Sequence, residues 1–123
     1  MRHPFLSLVV LPLVALTVGC GPDCQSSCDK IFGTKAEECN ITIPGKADAS
    51  GIQELTAECV SHCEQALARN GEVGTYEPNE RTSASDAVAL ENEKQAALWM
   101  DCVSETACED LNKNFCAPVT NFP

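Results

Sequence analysis

Cysteine content is the feature of this chain that most restricts its possible folds. Nine of the 123 residues are cysteines, a density typical of small exported domains held together by disulfide bonds. A chain of this length forms at most one domain, and a hydrophobic core of that size gives only modest stability by itself. We therefore expect one small domain whose fold depends on covalent crosslinks.

The first 19 residues have the composition of an export signal. Arg2 gives a positive start, an apolar run covers residues 5–16, and residues 17–19 are small or modest in size before Cys20. A positive start, an apolar stretch of about 7–15 residues and a small residue at the cleavage site define a secretory signal, and such a run is too short to span a bilayer comfortably. The sequence predicts that residues 1–19 are removed.

The segment LTVGC at residues 16–20 resembles the lipobox of bacterial lipoproteins. In that family, signal peptidase II cuts before the cysteine, which carries the lipid. This chain departs from the pattern at Thr17, because the family usually has Leu three residues before the cysteine. The resemblance implies that Cys20 is acylated and anchors residues 20–123 to a membrane. Gly21 stands where Asp would favour retention in the inner membrane, which implies the outer membrane.

The odd number of cysteines indicates the same anchoring residue by an independent route. An odd count in an exported protein leaves one thiol without an internal partner. The alternatives are an ordinary secretory signal, with Cys20 in a disulfide bond, or an uncleaved membrane anchor. If Cys20 carries lipid, an even set remains that can pair completely: Cys24, Cys28, Cys39, Cys59, Cys63, Cys102, Cys108 and Cys116.

Apolar periodicity predicts an all-α domain. Positions i, i+4 and i+7 share one face of a helix, and Cys24, Cys28 and Ile31 have that spacing. No segment alternates with a period of two for long enough to predict a strand. The predicted elements are a helix over residues 21–33, a loop over 40–49, a long helix over 50–69, a linker over 70–84, a long helix over 85–103 and a short helix over about 106–114.

Capping pairs and buried faces refine these predicted helices. Ser50 with Gln53, and Thr106 with Glu109, have the spacing of a capping box, in which each residue's side chain accepts from the backbone amide of the other. The buried faces that we expect are Ile52, Leu55, Cys59, Cys63 and Leu67 in the second helix, and Leu98, Trp99, Cys102 and Val103 in the third.

Two CX3C motifs predict the centre of the disulfide framework. Cysteines four residues apart on a helix lie about 6 Å apart along one face. If the first two helices pack antiparallel, the motifs face each other, which predicts the bonds Cys24–Cys63 and Cys28–Cys59. This pattern resembles the twin CX3C hairpin of the small Tim chaperones and of plant helical-hairpin peptides. The resemblance implies a topology and no function.

The pairing of the other four cysteines follows less directly. A helix over residues 106–113 would hold Cys108 and Cys116 too far apart to bond easily. If that helix folds back on the third, Cys116 comes near Cys102, and Cys39 is left for Cys108. The spacing leaves other pairings of these four cysteines open.

The net charge and the motifs that the sequence lacks argue against several classes of function. The formal net charge is −10, and removal of residues 1–19 makes the chain more negative, because Arg2 leaves and no acidic residue does. Such a surface repels phosphate backbones. The chain also lacks the G-x-S-x-G, phosphate-loop, C-x-x-C and C-x-x-C-H motifs. We therefore expect no nucleic acid partner, no cofactor and no enzymatic activity.

Two single residues are candidates for a functional site. His62 lies between Cys59 and Cys63, a spacing that a zinc site permits, but export favours disulfides over metal-bound thiolates. We therefore predict no metal site and an exposed polar role for His62. Tyr76, in the loop over residues 71–80, is a candidate partner contact, because Tyr gives a large contact area at low entropic cost; the alternative is a plain connector.

The sequence favours a protein that binds rather than one that catalyses. The first hypothesis is a membrane-anchored, non-enzymatic structural or interaction protein of the cell envelope, at the periplasmic face or the cell surface, with a protein partner. The alternative is a disulfide-rich binding or inhibitory module that acts on a periplasmic or extracellular protein.

Overall fold

A computed structural model describes residues 21–123. The predicted signal and Cys20 therefore lie outside the described residues. The predicted all-α class is confirmed, with four helices and no strand in residues 21–123, and none of these helices is both long and apolar enough to cross a bilayer. The helices are α1 (Cys24–Phe32), α2 (Ala49–Leu67), α3 (Glu93–Glu105) and α4 (Cys108–Leu111).

Helices α1 and α2 form an antiparallel hairpin that two disulfide bonds hold together. Cys24 is bonded to Cys63 and Cys28 to Cys59, with Cα–Cα distances of 5.7 and 5.9 Å. These are the two pairs that the twin CX3C spacing predicts. All four of these cysteines are buried, so the two bonds run through the packed interface between the helices.

Two further disulfides attach the rest of the chain to this hairpin. Cys39, in the loop after α1, is bonded to Cys108 at the start of α4. Cys102 on α3 is bonded to Cys116 in the segment after α4. These pairs agree with the assignment inferred from folding the last helix back on α3.

Asp side chains cap the N-termini of the first two helices. Asp23 Oδ1 accepts from the backbone N–H of Ser26 at 2.7 Å, and Asp23 N–H donates to Ser26 Oγ at 3.1 Å, which forms a capping box. The hydrogen bond that the carboxylate accepts from the Ser26 backbone is the largest cause that lowers the pKa of Asp23. In α2, Asp48 Oδ1 accepts from Gly51 N–H at 2.7 Å. Asp48 is therefore the N-cap, and the predicted cap at Ser50 is wrong.

The third helix begins at Glu93 and not at residue 85, so the prediction of a helix over residues 85–103 is wrong at its start. Asn92 is the N-cap, and its Oδ1 accepts from Lys94 N–H at 3.1 Å. The same side chain donates through Nδ2 to the carbonyl of Glu72 at 2.8 Å. Because that second bond reaches into the linker after α2, the start of α3 is set by a tertiary contact.

The last helix is a single turn. Its N-cap is Ala107, without a side-chain hydrogen bond, so the predicted capping box of Thr106 and Glu109 is wrong. Thr106 instead ends α3, and its carbonyl accepts from the side chain of Lys30.

The core lies between α1, α2 and α3 and is closed by the C-terminal segment. Trp99 is fully buried, as predicted, but Leu98 is 37% exposed and Leu67 is 41% exposed. Leu67 lies one turn beyond Cys63, which already faces the first residue of α1, so α1 does not cover it. The largest fully buried side chains are Trp99, Phe32, Ile31, Leu111, Val103 and Val119.

The segment after α4 packs against the core: most of residues 114–121 are buried, although the sequence predicts no helix beyond residue 114. The backbone N–H of Cys116 donates to the carbonyl of Pro78 at 2.7 Å. The indole Nε1–H of Trp99 donates to the carbonyl of Pro118 at 2.8 Å. The segment therefore connects α3 to the linker between α2 and α3.

Lys30 connects α1 to the C-terminal end of α3. Its Nζ donates to the carbonyls of Val103 at 2.6 Å, Ser104 at 3.2 Å and Thr106 at 2.8 Å. The last carbonyls of a helix lack intrahelical partners and carry partial negative charge, so a cation there is stabilising. Partial burial lowers the pKa of Lys30, whereas the three carbonyls favour its charged form.

Replacing Lys30 by Met is expected to lower the free energy of unfolding by about 2 kcal/mol, because the alkyl stem is kept while the half-buried carbonyl contacts to Val103 and Thr106 and the exposed contact to Ser104 lose their donor. The matched control is Lys113→Met, which removes only an exposed i,i+4 pair with Glu109 and should cost less than about 0.5 kcal/mol. Urea unfolding followed by circular dichroism measures both. Equal losses in the two variants would contradict the capping role of Lys30.

Candidate functional site

A groove runs between α1 and α2 on the surface of the hairpin. Its volume is about 870 Å³, which is within the range of about 300–1,000 Å³ that is usual for ligand-binding clefts. The groove is open to solvent along the two helices. Gln25 and Asp29 of α1 form one wall together with the C-cap residue Gly33, and residues between Ile52 and the C-cap residue Ala68 of α2 supply the other wall.

Regular spacing along both helices creates this groove. Gln25 and Asp29 are four residues apart on α1, and Gly33, the C-cap residue, follows at the same interval. On α2, Ile52, Thr56 and Val60 are also four apart, and Glu64 and Ala68 continue that series. Residues four apart lie nearly above one another on a helix, so each series makes a continuous wall.

Gly33 permits the close approach of the loop after α1, which also lines the groove. A Cβ atom at this position would lie 2.3 Å from Glu38 Oε1 and 2.5 Å from the carbonyl oxygen of Asp29. Glu38 Oε1 is held there because it accepts from Lys35 N–H at 3.0 Å. The loop after α1 can therefore fold against the end of the helix only because residue 33 has no side chain.

The floor of the groove is apolar, and it rests on the core. Ile52 and Val60 are half-buried and pack against the core cluster, while Ala57 is exposed beside them. The neighbouring cysteines of α2 are bonded to α1. These apolar side chains are therefore presented to solvent by a crosslinked scaffold.

The rim of the groove is mainly acidic. Asp29, Glu38 and Glu64 contribute carboxylates, and Lys35 is the one cationic residue among the lining residues. Asp29 Oδ1 accepts from Gln25 Nε2 at 2.9 Å, which orients that carboxylate along the α1 wall. An apolar floor with carboxylates on both walls suits an apolar ligand that also carries positive charge.

Tyr76, the predicted contact residue, is part of the packing of the domain. Its side chain is half-buried against the core, and its hydroxyl donates to the carbonyl of Ala117 at 2.6 Å. Burial raises the pKa of Tyr76 well above its ordinary value. The hydroxyl thus has a partner within the protein, which favours a structural role over the predicted partner contact.

His62 is half-buried rather than exposed as predicted. Its ring stacks on Phe122, with the ring centroids 5.2 Å apart. The cysteines on either side, Cys59 and Cys63, are both in disulfide bonds and so offer no thiolate to a metal. Within residues 21–123, no group of three or more His, Cys, Asp or Glu is placed to hold a metal ion.

The groove was not predicted from the sequence. The four-residue series on α1 and α2 was a usable signal, but each series mixes polar and apolar residues, so neither stands out as a binding face. Only the packing of α1 on α2 brings Asp29 and Glu64 to the same cleft.

Comparisons with known proteins returned no match. No protein-family model, no curated protein and no solved structure is significantly similar to this chain.

Proposed function

We propose that this chain is a bacterial lipoprotein, anchored at Cys20 to the outer membrane, that acts as a non-enzymatic interaction protein of the cell envelope. The observation that carries the proposal is the pairing of the other cysteines. All eight cysteines within residues 21–123 are bonded to one another, so none of them is left to pair with Cys20. This supports a different role for Cys20, and the lipobox-like segment before it supports acylation.

The short connection to α1 supports a role close to the membrane. Helix α1 begins at Cys24, and the four-residue step from Cys20 can span at most about 14 Å. Cys24 is also bonded to Cys63, so the tether joins a crosslinked end of the hairpin and not a loose terminus. An acylated Cys20 would therefore hold the groove within reach of other proteins in the same envelope layer.

The charge of the chain supports anchoring by lipid and not by electrostatic attraction. The chain has 18 acidic residues against 8 Lys and Arg, and Arg2 belongs to the predicted signal. Such a domain is repelled by anionic head groups. One acyl chain binds a membrane only marginally, whereas two or more give firm anchoring, so the multiple acylation of the lipoprotein family suits this domain.

Cys20→Ser is expected to abolish acylation completely. In cells fed an alkyne analogue of palmitate, the wild-type chain should carry the label, and the variant should carry none and lose its membrane association. Gly21→Asp is the matched control, because it leaves the acylated residue intact. It should keep the label and move the protein from the outer toward the inner membrane fraction.

The result that would contradict the anchor is a wild-type protein that never takes up the palmitate label although it is exported with its disulfides formed. Retained label in the Cys20→Ser variant would equally exclude Cys20 as the acylated residue. A label that is present, with no shift for Gly21→Asp, would contradict only the assignment to the outer membrane.

A further inference from the structure

We propose that the groove between α1 and α2 binds a basic amphipathic segment of a partner protein. This inference rests on the proposed role as an interaction protein, and it assigns the surface and the chemistry of the partner. It does not depend on the lipid anchor.

The dimensions of the groove fit a segment of polypeptide. The lining residues of α2 and its C-cap extend from Ile52 to Ala68, a distance of about 24 Å along the helix. A partner helix of about four turns has that length and presents apolar side chains at every third or fourth residue. Ile52 and Val60, eight residues apart on one face, are the apolar positions in this groove that such side chains would contact.

The groove is held open before a partner arrives. Cys28–Cys59 and Cys24–Cys63 fix the spacing of the two helices directly beside it. Rigid presentation lowers the entropic cost of binding, because less of the surface must become ordered. Ile52 and Val60 stay partly exposed although they also contact the core, so the packing of this one molecule leaves apolar surface uncovered.

Charge complementarity selects a basic segment. Asp29 stands on the α1 wall and Glu64 on the α2 wall, so a Lys or Arg side chain lying along the groove meets carboxylates on both sides. Lys35 is the one cation of the rim, and three other lysines are paired with Glu54, Glu72 and Glu109 outside the groove. The acidic rim is therefore largely uncompensated, and it repels acidic peptides and anionic membranes.

The test uses a fluorescent 16-residue peptide of Leu and Lys with helical amphipathic spacing, and a Leu and Glu peptide of the same pattern as its counterpart. The protein is the exported Cys20→Ser chain, because all four disulfides and the core lie within residues 24–122. Fluorescence anisotropy should show binding of the basic peptide and none of the acidic one.

Two charge reversals of equal size separate the groove from the overall field of the protein. Glu64→Lys lies on the groove wall, and Glu105→Lys lies on α3, outside the groove; both residues are exposed on helices, so both variants should fold. We expect Glu64→Lys to raise the Kd for the basic peptide about 10-fold, a larger loss than most interface residues cause when they are substituted. Glu105→Lys should change it less than about 2-fold, because distant exposed charges are screened by salt.

Loss of binding in Glu64→Lys with little change in Glu105→Lys supports the groove. Equal weakening in both variants would overturn the proposal, since the peptide would then respond only to net charge. Binding of the protein to phosphatidylglycerol vesicles in preference to the basic peptide would overturn it as well. Absent peptide binding by the Cys20→Ser chain, when the wild-type chain takes up palmitate, contradicts this inference alone, whereas groove-specific binding by the Cys20→Ser chain, when the wild-type chain takes up no palmitate, contradicts only the anchor.

Discussion

Reduction of the four disulfide bonds is expected to unfold the domain at 25 °C. Six of the nineteen buried hydrophobic residues are cysteines, so the bonds pass through the core itself. The longest bridge, Cys39–Cys108, has a sequence separation of 69, and a loop of that length corresponds to about 4 kcal/mol in the chain-entropy model. Domains of this size have a net free energy of unfolding of about 5–15 kcal/mol. We therefore expect the stabilisation that is lost with all four bridges to exceed the stability that the remaining core provides.

Circular dichroism with and without a phosphine reductant measures this effect. The oxidised protein should melt cooperatively, and the reduced and alkylated protein should show no cooperative transition. Two double variants compare single bridges. Removing Cys39–Cys108 (Cys39→Ser with Cys108→Ser) should lower the free energy of unfolding more than removing Cys102–Cys116 (Cys102→Ser with Cys116→Ser), because the second bridge has a sequence separation of only 14. A reduced protein that still melts within about 10 °C of the oxidised one would show that the core is sufficient alone.

Trp99→Ala is expected to lower the free energy of unfolding by about 3–5 kcal/mol. The indole is fully buried, and its Nε1–H donates to the carbonyl of Pro118 at 2.8 Å. Truncation therefore leaves a large cavity and also an unpaired carbonyl in the core. Because residues 112–123 pack around this side chain, we expect the C-terminal segment to lose protection in hydrogen exchange as well.

The neighbouring residue provides the control for Trp99. Leu98 is 37% exposed on the same helix, and Leu98→Ala should cost less than about 1 kcal/mol, as surface substitutions usually do. Trp99→Phe keeps most of the volume but loses the donor to Pro118, which should cost about 1–3 kcal/mol. Similar losses for Leu98→Ala and Trp99→Ala would mean that both side chains are buried, in conflict with the structure.

Local features of the sequence determined the helical class and the two bonds of the hairpin. Cys24 and Cys28, like Cys59 and Cys63, are four apart, and a helix places such pairs on one face whatever surrounds them. When two such pairs face each other on antiparallel helices, only one pairing avoids crossed bridges, and it is the pairing of the hairpin. The burial of Trp99 also follows from its place beside Cys102 on the apolar stripe of the third helix.

Contacts between distant residues decided what the pattern left open. The start of α3 depends on Asn92, whose side chain is held by the carbonyl of Glu72, and the role of Tyr76 depends on the carbonyl of Ala117. Every residue has a backbone carbonyl, so the amino-acid sequence does not indicate which carbonyl in a loop will accept a hydrogen bond from a distant side chain. The start of α3, the placement of Tyr76 and the acidic groove between α1 and α2 therefore exist only once the chain has folded back on itself.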